Sequence, residues 1–182
     1  MMSSLIRKET AAAVAAQEQV GQYLTFLVGG ETFAVSILDV KEIIEIASVT
    51  RVPLTPDYIH GVINLRGNVV AVIDLSARLS RSPSQVSKRS CIVLVAMEIN
   101  ETLQLVGMLV DEVREILEIP AANIQPAPDF GADIRTDFIE AMARIDDVFI
   151  ILLALDRVLS LEELSLLGDL TAAEALRSVP TE

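Results

Sequence analysis

Cysteine, histidine, tryptophan and positive charge are all scarce in this chain, and each shortage removes a class of function. A single cysteine, Cys91, rules out an intrachain disulfide and, with a single histidine, His60, leaves no ligand set for a zinc finger or a multi-histidine metal centre. Cys91 opens the apolar run Cys91-Ile92-Val93-Leu94-Val95 and reads as a small core residue, consistent with a reducing compartment. Aromatic residues are 4% of the chain and tryptophan is absent, so platforms for stacking bases or sugars are poorly supplied. Lysine and arginine number 14 against 26 acidic residues, a net charge of −12, which points away from nucleic acid and from direct docking on an anionic membrane. No Gly-rich phosphate loop and no G-x-S-x-G elbow occurs. The longest apolar run, Val148–Leu155, is far short of the roughly 20 residues needed to span a bilayer. Arg7-Lys8 precedes Ala11–Ala16, but this stretch is too short and too weakly hydrophobic for a signal peptide. No cofactor or metal is expected, no convergent catalytic set stands out, and the expected location is cytoplasmic.

What is present is a well-supplied core and a strong turn code. Apolar residues make up 52% of the chain, well above the level of a disordered one. Residues 1–20 are Ala-rich and polar without an apolar stripe and read as a flexible tail or a loose helix. From there strand signals dominate. Tyr23–Val28 and Thr32–Ile37 flank Gly29-Gly30, glycines able to take positive φ, and Gly61–Leu65 and Val69–Asp74 flank Arg66-Gly67-Asn68, whose Gly67-Asn68 pair suits a tight turn; both read as hairpins. Between them Val40, Ile43 and Ile44 have the i, i+3, i+4 spacing of a helix face, with Asp39 as a cap and Glu42 three residues on. This predicts a short helical turn, with Glu42 and Glu45 on one solvated face.

The plan then recurs. Val40-Lys41-Glu42-Ile43-Ile44-Glu45-Ile46 reappears as Val113-Arg114-Glu115-Ile116-Leu117-Glu118-Ile119, and Pro53 as Pro126. The second copy has its own hairpins, Cys91–Met97 with Leu103–Val110 and Phe138–Ile145 with Val148–Leu155, the latter turning at Asp146-Asp147. Two copies of one supersecondary plan, each of short strands, close most easily into small barrels. The predicted division is a first barrel half at about 21–80, an exposed linker at 80–90, a second barrel half at 91–158 and a C-terminal helix at 160–168. Together these form one domain, 21–168, with a tail at 169–182. Ser160 with Glu163 supplies the capping box that starts the last helix.

The run Thr50-Arg51-Val52-Pro53-Leu54-Thr55-Pro56-Asp57-Tyr58-Ile59-His60-Gly61-Val62-Ile63-Asn64-Leu65-Arg66-Gly67 closely resembles the signature of the CheW-like family. The resemblance continues through Val70–Leu75, Val106–Asp111 and Ile124–Pro128 and covers about residues 22–167. It implies a mainly β fold of two intertwined five-stranded SH3-like barrels with a shared core. It implies a non-catalytic scaffold that binds the regulatory domain of the histidine kinase CheA, itself CheW-like, and the cytoplasmic tip of methyl-accepting chemoreceptors, reaching the membrane only through them. The absence of a phosphotransfer segment, an ATP-binding domain and a receiver domain points to a free adaptor, in chemotaxis or in a related pathway such as motility or gene regulation. Matched position by position, the family's receptor- and kinase-facing residues fall on Val40, Glu42, Gly61, Arg66, Ile92 and Ile116. By residue chemistry alone Val40 and Ile116 are core candidates, Gly61 a backbone-permissive glycine and Arg66 a solvated turn residue. His60 departs from the Lys or Arg common in relatives and otherwise reads as a strand-edge histidine.

Overall fold

The computed structural model describes residues 20–46, 48–79, 82–99, 101–127 and 138–178. The N-terminal stretch expected to be a tail lies outside these residues, apart from Val20, which already begins a strand. The alternating and continuous apolar runs form eleven strands: β1 (Val20–Val28), β2 (Glu31–Ser36), β3 (Val40–Glu45), β4 (Ile59–Leu65), β5 (Asn68–Asp74), β6 (Cys91–Ile99), β7 (Thr102–Val110), β8 (Glu112–Pro120), β9 (Ile124–Gln125), β10 (Ile139–Ile145) and β11 (Val148–Leu153). Short helices α1 (Leu75–Arg78) and α2 (Leu155–Val158) follow β5 and β11, and α3 (Leu161–Ser178) closes the described chain.

The strands assemble into two sheets, ordered β8-β1-β2-β11-β10-β9 and β3-β6-β7-β5-β4. Each sheet takes one hairpin from one half of the repeat and its remaining strands from the other half. The β1–β2 hairpin sits among second-half strands, and β6–β7 sits among first-half strands. Of the four seams where the halves meet, β1 with β8 and β3 with β6 are antiparallel, while β2 with β11 and β5 with β7 are the parallel pairings. Burial follows this exchange. A cluster including Ile119 on β8 and Ala143 on β10 fills one sheet, joining its far sides. A cluster including Ile92, Ile63 and the half-buried Ile44 fills the other. A third, larger cluster lies between them, with Phe26 and Phe33 of one sheet packed with Ile73, Val93 and Met108 of the other. Each sheet therefore curls round its own filling and shares its outer face with its partner.

Two local expectations are corrected. The segment at Val40–Glu45 is strand β3, paired with β6, and its repeat is strand β8, paired with β1; neither is a helical turn. The β-branched run suits a pleated surface, and the neighbouring hairpins offer free edges to pair with. Asp39 does not cap a helix; its backbone N–H donates to the Ser36 carbonyl at 3.0 Å in the turn before β3. The C-terminal helix does not stop at residue 168 but runs on to Ser178, since Leu164, Leu167 and Leu170 keep one buried stripe through Gly168.

Linker residues 82–89 are largely exposed, yet the stretch is pinned. Asp74, only 4% exposed, accepts from the Ser84 backbone N–H at 2.9 Å, from the Ser84 hydroxyl at 2.6 Å and from the Ala77 N–H at the start of α1 at 3.3 Å. Three donors satisfy a carboxylate whose burial is otherwise costly.

Candidate functional site

The signature run folds as strand β4 and the turn that follows it. Arg66 and Gly67 occupy the turn with φ of 53° and 88°, the left-handed pair that matches the twist of a tight hairpin. Asn64 fixes the turn, its side-chain oxygen accepting from the Gly67 N–H at 2.9 Å. The guanidinium of Arg66 projects into solvent and donates to Glu42 Oε1 at 2.7 Å, with side-chain exposures of 72% and 35%. Glu42 lies on β3 and Arg66 at the end of β4, the two outermost strands of the same sheet, so the pair bridges the sheet from edge to edge.

Val40 stands on the same edge strand as Glu42, half-buried against the shared core, while Ile43 is 41% exposed. Along β3 the burial alternates, so the polar Glu42 shares the half-buried side with Val40 and Ile44 while Ile43 takes the exposed side, and the pairing with β6 shifts register between Val40 and Glu42. Ile116 is the repeat-mate of Ile43. It lies on β8, the outer strand of the other sheet, and is 53% exposed. It is held there at a second shift, where the buried Thr25 hydroxyl both donates to the Glu115 carbonyl at 2.7 Å and accepts its N–H at 3.1 Å.

The remaining two expected site residues are interior. Ile92, expected to face a partner, is instead 0% exposed on β6, within the cluster that fills the β3-β6-β7-β5-β4 sheet. Gly61 is buried where β4 bridges Thr50; a Cβ there would stand 2.5 Å from the Thr50 carbonyl oxygen and 2.6 Å from Val49 Cγ1. It serves as the point where two backbone segments close on each other.

The two halves differ in charge at their matching ends. The repeat-mate of Glu42 is Glu115, and the turn matching Arg66-Gly67 carries Asp146-Asp147, with φ of 50° and 63°. Like charges replace the ion pair, and Arg144 instead donates to Asp147 at 2.8 Å and stacks 5.9 Å from the Phe149 ring. Only the first repeat therefore carries a basic, signature-borne end tied to its own edge strand.

His60 is half-buried on β4, and burial, reinforced by Arg51 and opposed by Asp74, lowers its pKa below the usual 6.5. Sequence reasoning missed one polar cluster. Arg78 of α1 donates to the Val158 carbonyl at 2.7 Å and to Glu163 of α3 at 2.8 Å, and it lies over the Tyr58 ring at 5.5 Å. Burial would raise the Glu163 carboxyl, but the Ser160 backbone N–H and hydroxyl, Arg78 and Tyr58 outweigh it and hold the pKa low. Burial and Glu163 push the Tyr58 hydroxyl up to about 12. The capping box was legible; that its Glu163 also reaches the signature run at Tyr58 was not, because the partners are far apart in sequence. Among the described residues no group of three His, Cys, Asp or Glu side chains is placed to hold a metal, and no helix is long and apolar enough to cross a membrane.

Residues 22–163 match the family model of the CheW-like domain. A chemotaxis protein CheW of Klebsiella aerogenes is 34% identical over 155 residues, spanning 85% of this chain and 91% of that one. One from Rhizobium meliloti is 36% identical over 142 residues, spanning 78% and 89%. Among solved structures, the crystal structure of the scaffolding protein TtCheW from Thermoanaerobacter tengcongensis superposes with a TM-score of 0.69 at 35% identity, covering 78% of this chain and 89% of that chain.

Proposed function

This chain belongs to the CheW-like family, and on that premise we propose that it is a non-catalytic adaptor coupling methyl-accepting chemoreceptors to the histidine kinase CheA. The observation that carries the reading is the Arg66–Glu42 pair. It draws the turn of the signature run and the edge strand bearing the half-buried Val40 into one surface, with charges beside an apolar side chain. A helical receptor tip is recognised by such a surface through apolar contact, while flanking charges set orientation and selectivity more than raw affinity. Val40, Glu42 and Arg66 form this face, and the exposed Ile116 marks a second one on the opposite sheet. Two faces on one rigid body hold a receptor and the regulatory domain of the kinase at a fixed relation. The adaptor works on the cytoplasmic side of receptor arrays and meets the membrane only through the receptors.

The test is a reconstituted receptor–kinase phosphorylation assay beside a thermal melt. An exposed ion pair contributes about 0–1 kcal/mol, so Arg66→Glu is expected to melt within a few degrees of the unaltered protein. It is expected to lose receptor control of the kinase. Adding Glu42→Arg restores the pair with its charges exchanged and separates the need for the pair from the need for a cation at the turn. Normal coupling by Arg66→Glu would sink the assignment of Arg66, and a collapsed melt would return it to a structural role.

A further inference from the structure

The internal repeat builds two clefts of the same construction, and the chain treats them differently. One, of about 550 Å³, is bounded by Gly29 at the β1–β2 turn, Asp111 at the β7–β8 corner and Ser76 on α1. The other, of about 740 Å³, is bounded by the matching positions: Glu101 at the β6–β7 turn, Asp39 at the β2–β3 corner and Asp156 on α2. In the first cleft the chain after α1 lies extended along the wall as Ser82–Gln85, held by the Ser76 hydroxyl donating to the Ser82 carbonyl at 2.5 Å. Its corner is also satisfied, since Asp111 accepts from the Gly29 N–H at 2.8 Å.

In the second cleft the chain after α2 turns into α3 instead, and among the described residues no extended segment lies beside the turn and corner. Asp39, Glu101 and Asp156 have no hydrogen-bond or ion-pair partner for their carboxylates among the described residues, and Glu98 and Glu140 add two more such groups to the rim. Among the described residues no lysine or arginine lines the cleft. The floor is apolar, with Met97, Leu153, Leu155 and Leu164. Its volume falls in the range of about 300–1,000 Å³ typical of binding clefts.

We propose that this second cleft is a docking groove for an extended, basic segment of a partner protein, one apolar side chain seated on the floor and Lys or Arg on the rim. The first cleft shows that the architecture seats extended polypeptide along this wall. The rim supplies charge complementarity to a cationic segment, and bringing cations there relieves the mutual repulsion of unpaired carboxylates in a chain of net charge −12. The groove uses none of Val40, Glu42, Arg66 or Ile116, so its occupancy is independent of the coupling surface.

The probe is a fluorescein-labelled peptide, Ala-Arg-Leu-Lys-Val-Arg-Ala, titrated with the full chain and read by polarisation, with a counterpart carrying Glu in place of each cation. The cationic peptide is expected to bind and the acidic one not. Glu98→Lys with Glu101→Lys, both exposed positions, is expected to weaken binding at least tenfold. Glu115→Lys with Glu118→Lys, an equal change of net charge on β8, is expected to weaken it less than twofold. Glu140→Gln, a change of a single charge, moves affinity in the same direction as the rim pair even if the double variant folds poorly. Absence of binding, or equal weakening by the rim and β8 pairs, overturns the proposal.

Discussion

At Gly61 the backbone of β4 comes so close to Thr50 that a single methyl group has nowhere to go. The obstruction is a carbonyl oxygen at 2.5 Å, not the end of a flexible side chain, so the strand itself must shift. Overpacking of this kind costs about 1–3 kcal/mol, and Gly61→Ala is expected to lower the urea midpoint accordingly, with unchanged slope. An unaltered midpoint would show that the Thr50 segment moves aside freely. One residue earlier, His60 has a folded-state pKa below its unfolded value. The unfolded chain then takes up its proton first on acidification, so the contribution of His60 to stability is full above the unfolded pKa of 6.5 and shrinks as pH falls below it. Comparing melts at pH 7.5 and 5.5 against His60→Gln removes the background of the many carboxylates. The unaltered protein is expected to lose more stability, or gain less, than the variant over that interval. At this scale the residue types marked Arg66 as a solvated turn residue and Gly61 as a backbone-permissive glycine, and the structure has both. They did not show that Ile92 is enclosed, because a residue-type match cannot tell which face of a strand looks outward.

The hairpins were legible as elements because their turns carry residues that accept positive φ, Gly29-Gly30, Gly67 and Asp146-Asp147, although the second turn is centred on Arg66-Gly67 and not on the Gly67-Asn68 pair that the residue types suggest. Strands β3 and β8 were not. Val40, Ile43 and Ile44 fit a helical spacing only if all three point to one side, whereas in the strand Ile43 faces solvent and Val40 and Ile44 face in. Burial keeps a period of two, but the residue types do not follow it, because polar Glu42 takes a half-buried position and apolar Ile43 an exposed one. Helix α3 is a case where the local code was explicit. Ser160 N–H donates to Glu163 Oε1 at 2.9 Å and Glu163 N–H donates back to the Ser160 hydroxyl at 3.2 Å. Loss of such a cap costs about 0.5–2 kcal/mol, the expected effect of Ser160→Ala in a urea melt. Glu163→Ala is expected to cost more, since it also strips a partly buried Arg78 of its partner, with exposures of 16% and 21% for the pair. Equal losses from the two substitutions would mean that the Arg78 contact adds nothing beyond the cap.

For the whole molecule, the repeat in sequence is not a repeat of self-contained units in space. Its two copies predicted two barrels, and the family resemblance added that they intertwine; the sheet order shows the form this takes, a reciprocal exchange of the β1–β2 and β6–β7 hairpins. Residues 1–85 alone would keep β3, β4 and β5 but lose the β6–β7 hairpin that lies between β3 and β5 in their sheet. The β1–β2 hairpin would be left with no second-half strand on either side. The shared cluster would be cut through, with Phe26 and Phe33 separated from Val93 and Met108. A fragment of this size is marginal even with an intact core, so it is expected to be molten or insoluble, and the same holds for 86–182. The cut itself is harmless, because Gln85 and Val86 are exposed and lie beyond the Asp74–Ser84 anchor. Mixing the two fragments is therefore expected to regenerate the native fold as a non-covalent pair. The measurement is the amide NMR spectrum of each labelled fragment, first alone and then with its unlabelled complement. Poor dispersion alone and native dispersion together is the expected result. A well-dispersed spectrum from either fragment by itself would show that the exchanged hairpins are not required for a half to fold.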